Sequence, residues 1–366
     1  MPNQTRARRK LYFQLSSAIA QMDNDQLQLL FTDNEADRGW GRNHTIEVDG
    51  TKVFVKRMPV TDLEYANQFS TRNHYNLPVY YNYGVGSAGF GLFRELVTHI
   101  KTTNWVLAGA IENFPLLYHY RIIPATGKHG GVNLEEHKGY VDYWNNSEAV
   151  SQFILDRVNA CHEALLFLEY IPHTVEAWVL ENPDEVEGVI SDMRATIAFL
   201  RENGIVHFDA HWDNILTDGT RSYLSDFGLT LDQQFALSPE EEAFFAQHRY
   251  YDDGEFLSGI GFHFGSLYRN LADEQKSRIL QQYGLAEGSK FWELGDVLLN
   301  HIEEIAATGL MPLTKTYVEN IVKYRDIILF FHSFYRDMRR NPKKDTPFDH
   351  AKLTRLLQET GFIGYP

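Results

Sequence analysis

The chain has 366 residues, 43% of them hydrophobic, which is enough apolar side chain for a large core and more length than one small domain needs. It carries 34 Lys and Arg against 49 Asp and Glu, a net charge of −15 that argues against nonspecific binding to nucleic acid or to an anionic membrane. Cys161 is the only cysteine, which excludes an intrachain disulfide, and no run approaches the roughly 18 apolar residues that span a bilayer, so the cytoplasm is the expected location.

Arg6 to Lys10 make a basic start, but the following Leu11 to Ser17 is broken by Gln14 and two serines, so a signal peptide is not expected. Leu15, Ile19, Met22, Leu27 and Leu30 are the apolar positions of a first amphipathic helix or strand pair. Beyond Gly39-Trp40-Gly41, the runs Thr45 to Val48 and Lys52 to Lys56 flank Asp49-Gly50, a turn dipeptide, and predict a β-hairpin. Residues 59–91, rich in Asn, Tyr and Gly, read as an inserted loop; their glycines are not a phosphate loop, because no G-x-x-x-x-G-K-[ST] occurs. Leu92, Leu96, Ile100 and Trp105 predict a helix with Glu95 near its start, and Leu116 to Ile123 a strand. After a second loop over residues 124–150, Ala164 to Leu168 is a continuous apolar strand ending at Glu169-Tyr170-Ile171-Pro172.

Val186, Ile190, Met193, Ile197 and Leu200 recur at helical intervals, with Gly204 as the stop. The chain then reaches its most informative stretch, His207-Phe-Asp209-Ala-His211-Trp-Asp-Asn214. It runs into a hairpin, Ile215 to Thr217 and Ser222 to Leu224 around Asp218-Gly219, and closes on Asp226-Phe227-Gly228. Folding that hairpin would bring a carboxylate and an amide before it near a carboxylate after it. Ser238-Pro239 with Glu241 reads as a capped helix start, and Ile321 to Arg339 and Leu353 to Thr360 as later helices. Arg336, Arg339, Arg340, Lys343 and Lys344 read as a solvated basic connection.

The stretch from His207 to Asn214 followed by Asp226-Phe-Gly228 resembles the catalytic loop and metal-binding triplet of the protein-kinase-like superfamily. His211, two places after Asp209, departs from the lysine of protein kinases and is similar to the aminoglycoside and choline phosphotransferase branch, whereas Asp226-Phe-Gly228 is the protein-kinase spelling. The resemblance implies an α+β, bilobal fold: a small β-rich lobe over residues 1–168, a hinge at 169–172 and a larger helical lobe over 173–366. It implies ATP and Mg²⁺ as cofactors. Asp209 becomes the catalytic base, Asn214 and Asp226 the Mg²⁺ ligands, Lys56 the phosphate-binding lysine and Glu95 its carboxylate partner. Gly39 and Gly41 become the phosphate-facing glycines, although a third glycine is missing and His44 stands in its place. The backbone from Glu169 through Tyr170 to Ile171 would meet the adenine edge.

The expected activity is transfer of the γ-phosphate of ATP to a hydroxyl-bearing substrate. A small molecule is favoured by His211 and by the want of an A-P-E motif, and a protein serine, threonine or tyrosine by Asp226-Phe-Gly228. The remaining alternative is a nucleotide-binding pseudokinase scaffold. A zinc site at His207 and His211 lacks a third clustered ligand in the sequence. The sequence does not reveal the oligomeric state.

Overall fold

A computed structural model describes residues 2–31, 36–38, 41–125, 133–286, 288–289 and 291–364. The architecture is α+β, and the chain separates into two compact units, one made of Met1–Ile171 with Ser225–Phe244, the other of Pro172–Leu224 with Phe245–Pro366. Among the described residues no helix is long and apolar enough to cross a membrane.

The first unit is built on a five-stranded antiparallel sheet of order β1-β2-β3-β5-β4. Its strands are β1 (Ala36–Arg38), β2 (Gly41–Val48), β3 (Thr51–Val60), β4 (Leu117–Pro124) and β5 (His162–Glu169). Val48 pairs with Thr51, so the connection is Asp49-Gly50 alone, with φ of 48° and 73° as a two-residue turn between twisted strands demands. The apolar run on β5 has its cause in this order: β5 lies between β3 and β4, and Glu163 through Leu168 are buried. Glu163 is tolerated there because Arg57 on the neighbouring strand donates from Nε to its Oε2 at 3.1 Å.

The Leu92–Ala108 helix supplies Leu92, Phe93 and Leu96 to a core shared with Met58 and Val60 of β3, Leu117 of β4, and Leu166 and Leu168 of β5. Residues 59–91 hold more regular structure than their composition predicts: β3 runs on to Val60, and Asp62–Ala66 is a short helix. That helix is sustained by a capping box in which the Thr61 and Glu64 side chains each answer the other's backbone N–H. The N-terminal element is the Pro2–Ala20 helix, with Leu15 and Ile19 buried.

The second unit is mainly helical. Its small sheet is β6 (His173–Thr174) against β8 (Ile215–Thr217) against β9 (Ser222–Leu224), and a further short strand, β7 (Ile205–Val206), precedes the loop at His207. Thr217 pairs with Ser222, so the hairpin turn spans Asp218 to Arg221, longer than the Asp218-Gly219 dipeptide. Asp218 closes it by accepting from the Thr220 and Arg221 N–H groups and from the Tyr223 hydroxyl. The Tyr251–Arg269 helix is buried along most of its length and packs with the Lys315–Arg340 helix. Gly259 makes room for Trp212: a Cβ there would lie 2.2 Å from the indole. Lys344 is not solvated as the basic run suggested; its Nζ donates to the carbonyls of Met338 and Arg339 at the end of the long helix.

Candidate functional site

Each unit gathers part of the expected constellation. In the first unit Lys56 projects from β3, where its backbone lies between Asn43 of β2 and Leu166 of β5. Its Nζ stands 2.7 Å from Glu95 Oε1 and 2.9 Å from Asp226 Oδ1, linking residues 39 and 170 positions away in the chain. Glu95 lies in the first turn of its helix, where the exposed N–H dipoles favour a carboxylate, and its side chain is 2% exposed. The Leu92 N–H at the same helix start is satisfied by Glu64 Oε1 at 2.7 Å. Burial works against the Lys56 charge, but Asp226 and then Glu95 outweigh it, and the ammonium pKa rises above the ordinary lysine range.

Asp226 occupies positive φ, 62°, which a non-glycine residue rarely adopts. The Phe227 ring that follows packs edge-on against His99, one turn beyond Glu95, with centroids 4.8 Å apart. His99 Nε2 lies 3.8 Å from Glu95 Oε1.

In the second unit the loop from His207 to Asn214 is held by acids on the Tyr251–Arg269 helix. The Asp252 carboxylate accepts from the N–H groups of His207 at 2.7 Å and Phe208 at 2.9 Å. Glu255 Oε2 accepts from the Ala210 N–H at 2.8 Å, while its Oε1 accepts from the Tyr335 hydroxyl at 2.7 Å. These bonds fix a backbone that turns through φ of 65° at Phe208. Burial pushes the Asp252 carboxyl up to about 7 against the two N–H donors. Glu255 is pushed well above the usual range by burial, then by Asp209 and Asp252.

Between these anchors Asp209 presents a carboxylate that is 20% exposed. Asn214 Nδ2 donates to its Oδ2 at 2.8 Å and to its carbonyl at 3.0 Å, so the side chains expected as base and as metal ligand are joined directly. His211 Nε2 is 3.6 Å from Asp209 Oδ1, and the imidazole is 40% exposed. His207 is fully buried and its Nδ1 accepts from the Asp209 N–H at 3.2 Å, a bracing arrangement. Among the described residues no group of three or more His, Cys, Asp or Glu is arranged to hold a metal ion.

Of the remaining expected residues, Gly39 lies outside the described residues, and Gly41 opens β2 opposite Arg38. Glu169 ends β5; its N–H donates to the Leu116 carbonyl, and its carboxylate is gripped by Arg8 of the N-terminal helix at 2.9 and 2.6 Å. That N–H and that carboxylate are therefore committed within the unit. Tyr170 follows with Lys52 Nζ 5.3 Å from its ring centroid, and Ile171 is the last residue of this part of the unit.

Sequence reasoning missed Asp252 and Glu255, whose partners are backbone N–H groups about 45 residues away. The signal was present as Asp252-Asp253-Gly254-Glu255 inside an aromatic-rich segment, since acids buried in a helix must answer donors. Arg8, which no pattern marks apart from its basic neighbours, was missed as well.

In a comparison with curated proteins, an 88-residue stretch is 33% identical to a protein of Dictyostelium discoideum described as "Probable serine/threonine-protein kinase fnkB". The match covers 22% of this chain and 16% of that protein's length. No family model matches the chain. Over that stretch the likeness is kinase-like, and it extends no further.

Proposed function

We propose that this protein is an ATP-dependent phosphotransferase that moves the γ-phosphoryl group to a hydroxyl acceptor. The observation that carries the reading is Lys56 meeting both Glu95 and Asp226. A lysine fixed by one buried carboxylate and aimed at a second, more exposed one is suited to hold phosphate oxygens beside a cation. The Asp226 carboxylate is compatible with Mg²⁺, which takes hard oxygen ligands. Asp226 keeps 42% of its side chain exposed despite its ion pair. When bound, the cation would neutralise charge on the transferring phosphate.

Asp209 accepts the acceptor's proton or orients its hydroxyl; Asn214 holds that carboxylate in one rotamer, and the Asp252 and Glu255 bonds hold the loop beneath it. Lys56 positions the phosphates, and Glu95 keeps the ammonium extended toward them. The acceptor we propose is a small molecule, on the strength of His211 beside Asp209 where protein kinases carry lysine. Transfer to a protein hydroxyl is the second reading, favoured by the partial likeness to a serine/threonine-kinase sequence. Incubating the purified protein with Mg²⁺ and γ-labelled ATP, once with a protein-free metabolite extract and once with a dialysed protein fraction, separates the two. Label in the metabolite pool supports the first reading, label in protein supports the second, and label in neither removes both.

A further inference from the structure

Arg94 and Glu95 are neighbours on the Leu92–Ala108 helix, and through them the helix grips one segment of the first unit at both ends. Glu95 holds Lys56, which holds Asp226 at the segment's start. Arg94 reaches its far end: Nη2 donates to Glu241 Oε1 at 2.7 Å, and both side chains are 1% exposed. The same guanidinium donates from Nε to the Thr71 carbonyl at 2.8 Å and lies over the rings of Phe90 and Phe235.

Three further ties fall between those ends. The Phe90 N–H donates to the Gly228 carbonyl at 3.0 Å, the Ala236 N–H donates to Thr71 Oγ1 at 2.9 Å, and Lys101 Nζ meets Asp232 Oδ2 at 2.7 Å. The approach at Phe90 requires glycine beside it, because a Cβ on Gly89 would lie 3.0 Å from the Gly228 carbonyl oxygen. Asp226 sits at a φ that an unrestrained aspartate would leave, so the arrangement persists only where its surroundings over-determine it.

We infer that Arg94 and Glu241 are positioning residues whose buried pair keeps the segment from Asp226 to Glu241 taut and so fixes the Asp226 carboxylate on Lys56. The inserted residues 59–91, through Thr71, Gly89 and Phe90, are part of that device and not an ornament of the surface. The catalytic consequence rests on the phosphotransferase reading; the ordering of the segment does not.

The test uses the full chain with Arg94→Lys, which keeps the charge but loses the planar fork, and Arg94→Met with Glu241→Leu, which removes both charges from the interior. Hydrogen–deuterium exchange, which needs no ligand, should show amides of residues 226–232 exchanging about tenfold faster in both variants while strands β2 to β5 keep their protection. In MgATP hydrolysis kcat should fall about tenfold, with KM for ATP moving less than about twofold. Unchanged exchange at 226–232, or an equal rise across the sheet, would overturn the inference by making the pair irrelevant or a general stability element. Faster exchange at 226–232 in the variants, with no turnover even in the unaltered protein, would uphold the positioning role and remove the phosphotransferase reading.

Discussion

Lys56 Nζ and Asp226 Oδ1 stand 2.9 Å apart across 170 residues of sequence. The pair is completed by Glu95, whose carboxylate is buried while that of Asp226 is 42% exposed, so the two acids have different work. On the proposed reading Glu95 anchors the lysine, and Asp226 would share it with a ligand. Replacing Lys56 with Met should lower turnover about a hundredfold and Glu95→Gln about tenfold, because the amide still accepts a hydrogen bond but no longer opposes the charge. Steady-state kinetics on the two variants checks the order; equal effects would contradict the division of labour.

Asp209 is expected to act on the acceptor's proton and not on the fold. Asp209→Asn should reduce kcat by roughly a hundred- to ten-thousand-fold. Its thermal unfolding should stay near that of the unaltered chain, since the carboxylate lies partly exposed and is not a core residue. Calorimetry beside kinetics tests this, and a large loss of stability would make Asp209 a structural residue.

Asp252 is expected to behave in the opposite way. Its carboxylate satisfies two buried N–H donors at His207 and Phe208, and truncation to Ala would strand both, at a cost of about 2–4 kcal/mol. Urea titration would detect it. Asp252→Asn, which can still accept at one oxygen, should fall between Ala and the native residue, and a variant as stable as the native chain would show that water replaces the carboxylate without loss.

Much of this organisation was legible because it is local. Asp49-Gly50 dictates a hairpin by backbone conformation alone, the buried run on β5 follows from a strand with neighbours on both sides, and Ser238-Pro239 with Glu241 forms the capped helix start that its residue types predict. The pairing of Lys56 with Glu95 was reachable only through the resemblance, since nothing in a 39-residue interval says that two side chains meet. What stayed hidden were long-range answers to buried donors and charges. Asp252 serves N–H groups on a distant loop, Arg8 serves Glu169, and Arg94 serves Glu241, and in each case the acid or base looks like any surface charge until its partner is placed. The short Asp62–Ala66 helix was likewise missed because its stability comes from reciprocal capping by Thr61 and Glu64 and not from length or periodicity.

His263 gives the fold a pH signature. It is fully buried with Nδ1 2.8 Å from the Tyr317 hydroxyl, and burial lowers its pKa to about 4. The folded value lies below the unfolded one, so below about 6.5 the unfolded chain takes up a proton that the folded chain refuses. Stability from this group is therefore present above about pH 6.5 and is lost as pH falls toward 4, about 2 kcal/mol of it between pH 7 and 5. In His263→Gln, which keeps a partner for Tyr317, the change in unfolding free energy between those two pH values should shrink by that amount. An unchanged pH dependence would show that the imidazole titrates normally in the fold.

The proposed phosphoryl transfer requires both Asp226 and Asp209. The most direct measurement is release of the labelled γ-phosphate from ATP by the purified full chain with and without Mg²⁺, run beside Asp226→Ala and Asp209→Ala. Mg²⁺-dependent turnover that falls at least about a hundredfold in each variant is the predicted result. Turnover that persists in Asp209→Ala, or that proceeds equally well in Asp226→Ala, would contradict it.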